Sequence, residues 1–266
     1  MSDKFLVDDL DGDDRILIAE LVKRVYNKYP EIVYHYTSLD SAIKIIDSKV
    51  IHFRDSRLLA DNTEQRNVFN ILNEMISMDE YSDDFKRYAY QICQDEYLDQ
   101  YISSDLQNNR FSDISRFFVF SCSFDEHSEY LISTYAKRNN PIGCRITINA
   151  KDLGEQFYPQ YLEIVPIIYN EQDKRALVKL IVDHAYLKFK RAMSDEDKKT
   201  AIGLMVSYLM YLGIYLKSEE YSKENEVRIL LVEDNDSRQD LSEFKKDDYR
   251  YELPIVEHFC TEFKTM

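Results

Sequence analysis

The chain has 266 residues, 44% of them hydrophobic, and a formal net charge of -15, so it can bury a full core while its acidic excess opposes broad electrostatic capture of nucleic acid. Cys93, Cys122, Cys144 and Cys260 lie in apolar surroundings without C-x-x-C spacing, which predicts reduced core thiols in place of a disulfide scaffold or a zinc site. The opening Met1-Ser2-Asp3-Lys4 lacks a signal-peptide pattern, and no apolar run approaches membrane-spanning length. The expectation is a cytoplasmic protein with no membrane partner.

Residues 1–12 are polar and aperiodic, and 1–30 as a whole read as a lead-in whose apolar positions from Ile16 to Val25 support an amphipathic helix ended by Pro30. Val33-Tyr34-His35-Tyr36 has strand character, and Thr37 followed by Asp40 has capping-box spacing. His35 is thus expected at a strand end, with the next helix packed through Leu39, Ile43 and Ile46. Val50 to Phe53 predicts a second strand. The polar segment from Arg54 to Glu64, with Arg54, Arg57 and Asp61, reads as a site loop bordering His35, although its arginines read equally as solvated charges that offset the acidic surface.

Helical periodicity fills the stretch from Glu64 to about Asn108, and Arg116 to Ser123 reads as a buried strand ending in hydroxyls. A helix is expected over Ser128 to Arg138 and strands over Gly143 to Ile148 and Leu162 to Tyr169, the latter broken at Pro166. Two further helices follow over Asp173 to Met193 and Asp197 to Leu216. Glu226 to Val232 is a strand, and Tyr249 to Val256 a further one, edge-placed by Pro254. This irregular alternation indicates one α+β domain over 1–266, with a mixed or antiparallel sheet and helical insertions at about 65–108 and 173–216. Five glycines supply neither G-x-G-x-x-G nor a Walker loop, so Rossmann-type binding is not expected.

Three motifs, in order, carry a resemblance across about residues 33–233. Tyr34-His35-Tyr36-Thr37-Ser38 with Leu59-Ala60-Asp61-Asn62-Thr63-Glu64 resembles the opening of domain-of-unknown-function family 2971. Phe120-Ser121-Cys122-Ser123, then Leu131 to Ala136 and Gly143-Cys144, is similar to that family's middle segment, with Ile132 where Trp is usual and Thr134 where His is usual. Lys217, Tyr221, Glu224, Glu226, Val227 and Arg228 resemble its closing motif, Tyr221 standing in for Trp.

That family's layout resembles the mono-ADP-ribosyltransferases, which implies a mainly antiparallel split β-sheet with NAD, as substrate, lying across it. The resemblance implies that His35 holds the nicotinamide ribose or pyrophosphate, assisted by Thr37, that Ser121 or Ser123 braces the site, and that Glu226 orients the ribose and stabilises the reacting centre. The ADP-ribose acceptor, whether protein, nucleic acid, small molecule or water, is not specified, and a role as bacterial toxin or phage-defence effector follows only from what such transferases often do.

The residues themselves bear more than one meaning. An ionised Glu226 would stabilise positive charge developing on a ribose, and Glu224, two positions earlier, would share its side of the strand and could act as a base on an acceptor. The same carboxylates also read as the polar start of an edge strand with Arg228 as salt-bridge partner. His35 could be a satisfied histidine bonded to a backbone carbonyl, and Tyr135 could close over a nicotinamide ring or pack a helix on the sheet. A non-catalytic binding module of the same fold is the second functional class. An oxygen-rich magnesium site formed by Asp61, Glu64, Glu224 and Glu226, as in a nuclease, is the third, although no lysine is expected in the usual close pairing with such carboxylates and the acidic surface would repel nucleic acid.

Overall fold

A computed structural model describes residues 31–58, 63–93, 116–138, 141–156, 162–233, 245–247, 250–254 and 260–266, together with Leu17 and Leu21. Within these residues the chain is α+β. Strand β1 (Ile32–Ser38) leads into helix α1 (Leu39–Ser48) and strand β2 (Val50–Asp55), and helices α2 (Thr63–Ile76) and α3 (Asp83–Cys93) precede β3 (Arg116–Ser123). A single helical turn, Glu129–Leu131, passes into a π-turn, Ile132–Ala136, before β4 (Gly143–Asn149), α4 (Ala150–Gln156) and β5 (Leu162–Pro166). The long helices α5 (Glu171–Arg191) and α6 (Asp195–Gly213) and a 3₁₀ turn (Glu219–Glu224) come next. They are followed by β6 (Glu226–Glu233), β7 (Lys245–Asp247), β8 (Arg250–Pro254) and β9 (Cys260–Thr265).

Among the described residues, nine strands form one mainly antiparallel sheet that curls, in the order β7-β8-β2-β3-β1-β4-β9, with β6 also paired to β3 and β5 to β6. The branching at β3 matters most. One edge of β3 is occupied by β6 along its whole length, from Arg116 opposite Glu233 to Ser123 opposite Glu226. The other edge is shared: β2 pairs only near its start, at Phe118 and Val119, and β1 only at its end, where Tyr34 faces Ser123. Between those contacts β1 and β2 diverge and the sheet splits, with α1 connecting the two sides.

Each sheet face has its own core. One carries Val119, Val165 and Leu230 and is covered by α2, α5 and α6, packed through residues such as Leu72, Met75, Ile181, Met205 and Leu209. The two helical stretches read from the sequence as separate insertions thus form one layer. The opposite face carries Val33, Phe53, Phe118, Phe120, Ile146 and Ile229, with Ala42 of α1 and Leu153 of α4. Caps fix the long helices: Asn170 accepts from the N–H groups of Gln172 and Asp173, and Ser194 with Asp197 forms a capping box. Acidic first-turn and basic last-turn residues of α5 complement its dipole.

Several sequence expectations need correction. Helix α1 is capped by Ser38, not Thr37, because the Ser38 side chain accepts from the N–H of Ser41. Its buried contact is Ala42, with Ile45 packed alongside, while Ile43 and Ile46 are exposed and Leu39 is half-buried. The helix expected over Ser128–Arg138 is one turn plus the π-turn. Strand β6 is internal, between β3 and β5, so the edge position entertained for its carboxylates does not hold. Strands β7 and β9 and helix α4 went unpredicted, being short and weakly patterned. Of the four cysteines, Cys122 and Cys144 are free and buried, whereas the side chains of Cys93 and Cys260 lie outside the described residues. Most of the 1–30 lead-in also lies outside them. Among the described residues no helix is long and apolar enough to cross a membrane.

Candidate functional site

Strand alternation places Ser121 and Ser123 of β3 on the same sheet face as Glu226 and Arg228 of β6. Just upstream, Asn225 adopts a left-handed conformation, φ 43°, which Asn tolerates better than most side chains, and its N–H closes back on the carbonyl of Ser222. This turn decides the position of Glu224. It belongs to the 3₁₀ turn and not to the strand, so the expected period-two pairing with Glu226 is wrong in its reason. The two carboxylates nevertheless converge on one cation.

That cation is Lys217. Its Nζ donates to Oε2 of Glu224 and, at 3.0 Å, to Oε2 of Glu226. Arg228 grips Glu226 from the other side, Nε to Oε1 at 2.9 Å, and extends to the carbonyl of Ile214 at 2.7 Å. The hydroxyl of Ser121 donates to Oε1 of Glu226 at 2.8 Å, that of Tyr135 donates to Oε1 of Glu224 at 2.6 Å, and the backbone N–H of Glu226 donates to the Tyr169 hydroxyl at 2.9 Å. Ser123 ties the turn down, donating to the carbonyl of Glu224 at 2.7 Å while accepting from the N–H of Asp125.

Burial separates floor from rim. Glu224, Glu226, Lys217 and Arg228 are all buried, whereas Ser121 is exposed and Tyr135 is 43% exposed. Burial alone would raise the Glu226 carboxyl, but Arg228 and Lys217 together outweigh it and hold the group at about 2. Burial pushes the Tyr135 phenol up, and its bond to Glu224 pushes in the same direction. The site is therefore a charge-balanced quartet whose ionised Glu226 connects to solvent through one serine hydroxyl.

His35 takes the alternative reading, a histidine bonded to a backbone carbonyl, and the common face with Glu226 that the transferase reading requires is not what the sheet provides. Its ring stacks on Phe120, centroids 4.3 Å apart, and so lies on the face opposite Ser121 and Glu226. At the split the free edge of β3 is within reach, and Nδ1 meets the carbonyl of Ser121 at 2.8 Å. A carbonyl only accepts, so Nδ1 carries the proton; burial pushes the imidazole below its ordinary value, against the pull of that bond. Neutral His35 then presents Nε2 as an acceptor. His35 and Glu226 approach Ser121 from the two faces, the first through its backbone and the second through its side chain.

The remaining sequence-predicted residues divide. Thr37 lies beyond His35, opposite Cys144 in β4, and among the described residues no contact links it to the carboxylates. Arg54 is exposed on β2, opposite Val119 on one side and Arg250 on the other. Asp61 and the side chains of Arg57 and Glu64 lie outside the described residues. Sequence reasoning missed Lys217 and Tyr169 as parts of the site. Lys217 was visible in the closing motif, but its burial between two carboxylates depends on the chain reversal after α6, which leaves no local pattern.

Residues 133–229 match the family described as Protein of unknown function (DUF2971), a little over a third of the chain. The matched segment runs from the π-turn carrying Tyr135 to β6 and includes Lys217, Glu224, Glu226 and Arg228. No curated protein and no solved structure matches the chain.

Proposed function

We propose that the protein cleaves the nicotinamide–ribose bond of NAD and passes ADP-ribose to an acceptor or to water, as an ADP-ribosyltransferase or NAD glycohydrolase. The observation that carries this is the bond from exposed Ser121 to buried, ionised Glu226, set beside a sheet that splits between β1 and β2. Cleavage develops positive charge on the ribose, and a fixed carboxylate reached through a serine hydroxyl can oppose that charge without reorganising. His35 then serves from the far side of the split, where Nε2 accepts from a sugar hydroxyl.

The decisive measurement is nicotinamide release from NAD, with and without cell extract as a source of acceptor. Release in either condition, lost in Glu226→Gln, is expected; a wild-type protein silent in both rejects the proposal.

A second reading is favoured by a specific observation. Both carboxylates are already paired with cations, and His35 starts from the opposite face, an arrangement equally suited to a rigid, non-catalytic binding module. Stabilisation by NAD without nicotinamide release would favour that class. In the magnesium alternative, Asp61 and the side chain of Glu64 lie outside the described residues, and the expectation that no lysine pairs with the carboxylates is corrected: Lys217 contacts both Glu224 and Glu226, and Arg228 contacts Glu226.

A further inference from the structure

Lys217 is held where an ordinary surface lysine would not be. Its backbone follows an isolated parallel bridge, Ile168 to Leu216, and its N–H donates to the carbonyl of Ile168 at 3.1 Å. From that anchor the buried ammonium contacts Glu224 and Glu226 and lies 5.0 Å from the ring centroid of Tyr221. Arg228 reaches Glu226 from within its own strand. Glu224, by contrast, has Lys217 as its only cation among the described residues, its other oxygen being taken by Tyr135.

We propose that Lys217 is a positioning residue that holds Glu224 and Glu226 side by side behind Ser121, keeping Glu226 aimed at the ribose and Glu224 docked on Tyr135. This rests on the NAD-cleaving function proposed above. Two buried carboxylates repel, and without a shared counter-charge one of them takes up a proton or turns away. A lysine suits the task because its compact ammonium has three donors that diverge, whereas a planar guanidinium delivers its donors in parallel.

The groups facing Glu226 come from five places: Ser121 from β3, Arg228 from β6, Lys217 from the segment after α6, Tyr169 from the β5–α5 connection, and Glu224 from the 3₁₀ turn across Lys217. With Lys217 gone, Arg228 alone must offset both burial and the charge of Glu224, so Glu226 is protonated at a higher pH.

The test is nicotinamide release as a function of pH for wild type, Lys217→Met and Lys217→Arg, with thermal melting of each. Lys217→Met should lower kcat about a hundredfold, change KM for NAD less than about threefold, and move the acid limb of the profile upward by about one pH unit or more. Lys217→Arg should restore the acid limb, because charge returns, while recovering only part of the rate. Wild-type kcat and an unshifted acid limb in Lys217→Met, or a loss that only follows the fall in Tm, overturns the positioning role. Should Lys217→Met fail to fold, Lys217→Arg decides: a lowered kcat at unchanged KM supports the role, and a wild-type kcat overturns it. An inactive wild type overturns the NAD-cleaving function and this inference with it, whereas an active wild type with insensitive Lys217 variants overturns the inference alone.

Discussion

The hydroxyl of Ser121 lies 2.8 Å from Oε1 of Glu226, so an exposed side chain of β3 is bonded directly to a carboxylate almost wholly buried on β6. The carbonyl of the same serine accepts from His35 at the edge where β1 has left β3. Ser121 is therefore hydrogen-bonded to both His35 and Glu226, the first through its backbone carbonyl and the second through its hydroxyl.

Glu226→Gln keeps the shape of the side chain and removes its charge. Turnover of NAD should fall by a factor on the order of a hundred to a thousand while binding persists. Stability should fall too, by roughly 3 kcal/mol, because Arg228 loses its buried counter-charge and Lys217 keeps only Glu224. Urea unfolding and isothermal calorimetry separate the two effects: a variant that binds NAD normally, is folded, and turns over at the wild-type rate rules out Glu226 as the stabilising carboxylate.

The same group predicts the acid response. Its folded value, about 2, lies below the ordinary 4.5, so its stabilising contribution is fully present above about pH 4.5 and is lost as pH falls towards 2. The amount at stake is on the order of 3 kcal/mol. Other carboxylates titrate in that window, and the difference between wild type and Glu226→Gln isolates this one. Their gap in unfolding free energy should narrow steadily between pH 5 and pH 3; a gap independent of pH contradicts the charge-balanced quartet.

How much of this was legible beforehand depends on locality. The strand Arg116–Ser123 was readable to the residue, since a run of aromatic and β-branched residues flanked by polar ones has few other outcomes. Ser121 and Ser123 were readable as sharing a face, because strand side chains alternate, whereas the presence of Glu226 on that face depends on the register between β3 and β6. The packing face of α1 was not readable, because Ile43 and Ile46 look like core and yet are exposed, while Ala42 is buried and Ile45 packs beside it. Nor was the opposite-face placement of His35, which follows from a one-residue pairing, Tyr34 with Ser123, fixed by the whole sheet. The Lys217 position needed tertiary information in the same way.

His35→Ala removes both the stack on Phe120 and the donor to the Ser121 carbonyl. Weaker NAD binding and slower nicotinamide release are expected together, with a stability loss of about 1–2 kcal/mol. His35→Asn, which retains a side-chain donor, should recover part of the stability but not the affinity, because the ring acceptor is missing. Full NAD affinity in His35→Ala would confine the histidine to bracing the split. The pH dependence has a sign as well: with its folded value depressed by burial, neutral His35 contributes stability that is complete above the ordinary value of 6.5 and declines as pH falls towards the folded one.

The last expectation concerns Gly143, which closes the segment bearing Tyr135. A Cβ built there would sit 2.5 Å from Cβ of Ala136 and 3.1 Å from its carbonyl carbon. Neither neighbour is the end of a flexible side chain, so Gly143→Ala must push the π-turn away from β4. A destabilisation of about 1–3 kcal/mol follows from overpacking. Because Tyr135 lies in that turn, the shift should also loosen its hydroxyl from Glu224, a bond that Tyr135→Phe removes at a cost of about 1 kcal/mol. The two changes share one consequence and should therefore be less than additive when combined, whereas Gly143→Ala with Ala136→Gly should recover stability by giving the new methyl room. Urea titrations of the four variants check this. A Gly143→Ala protein as stable as wild type, or strict additivity with Tyr135→Phe, would mean that the close packing at Gly143 does not set the position of Tyr135.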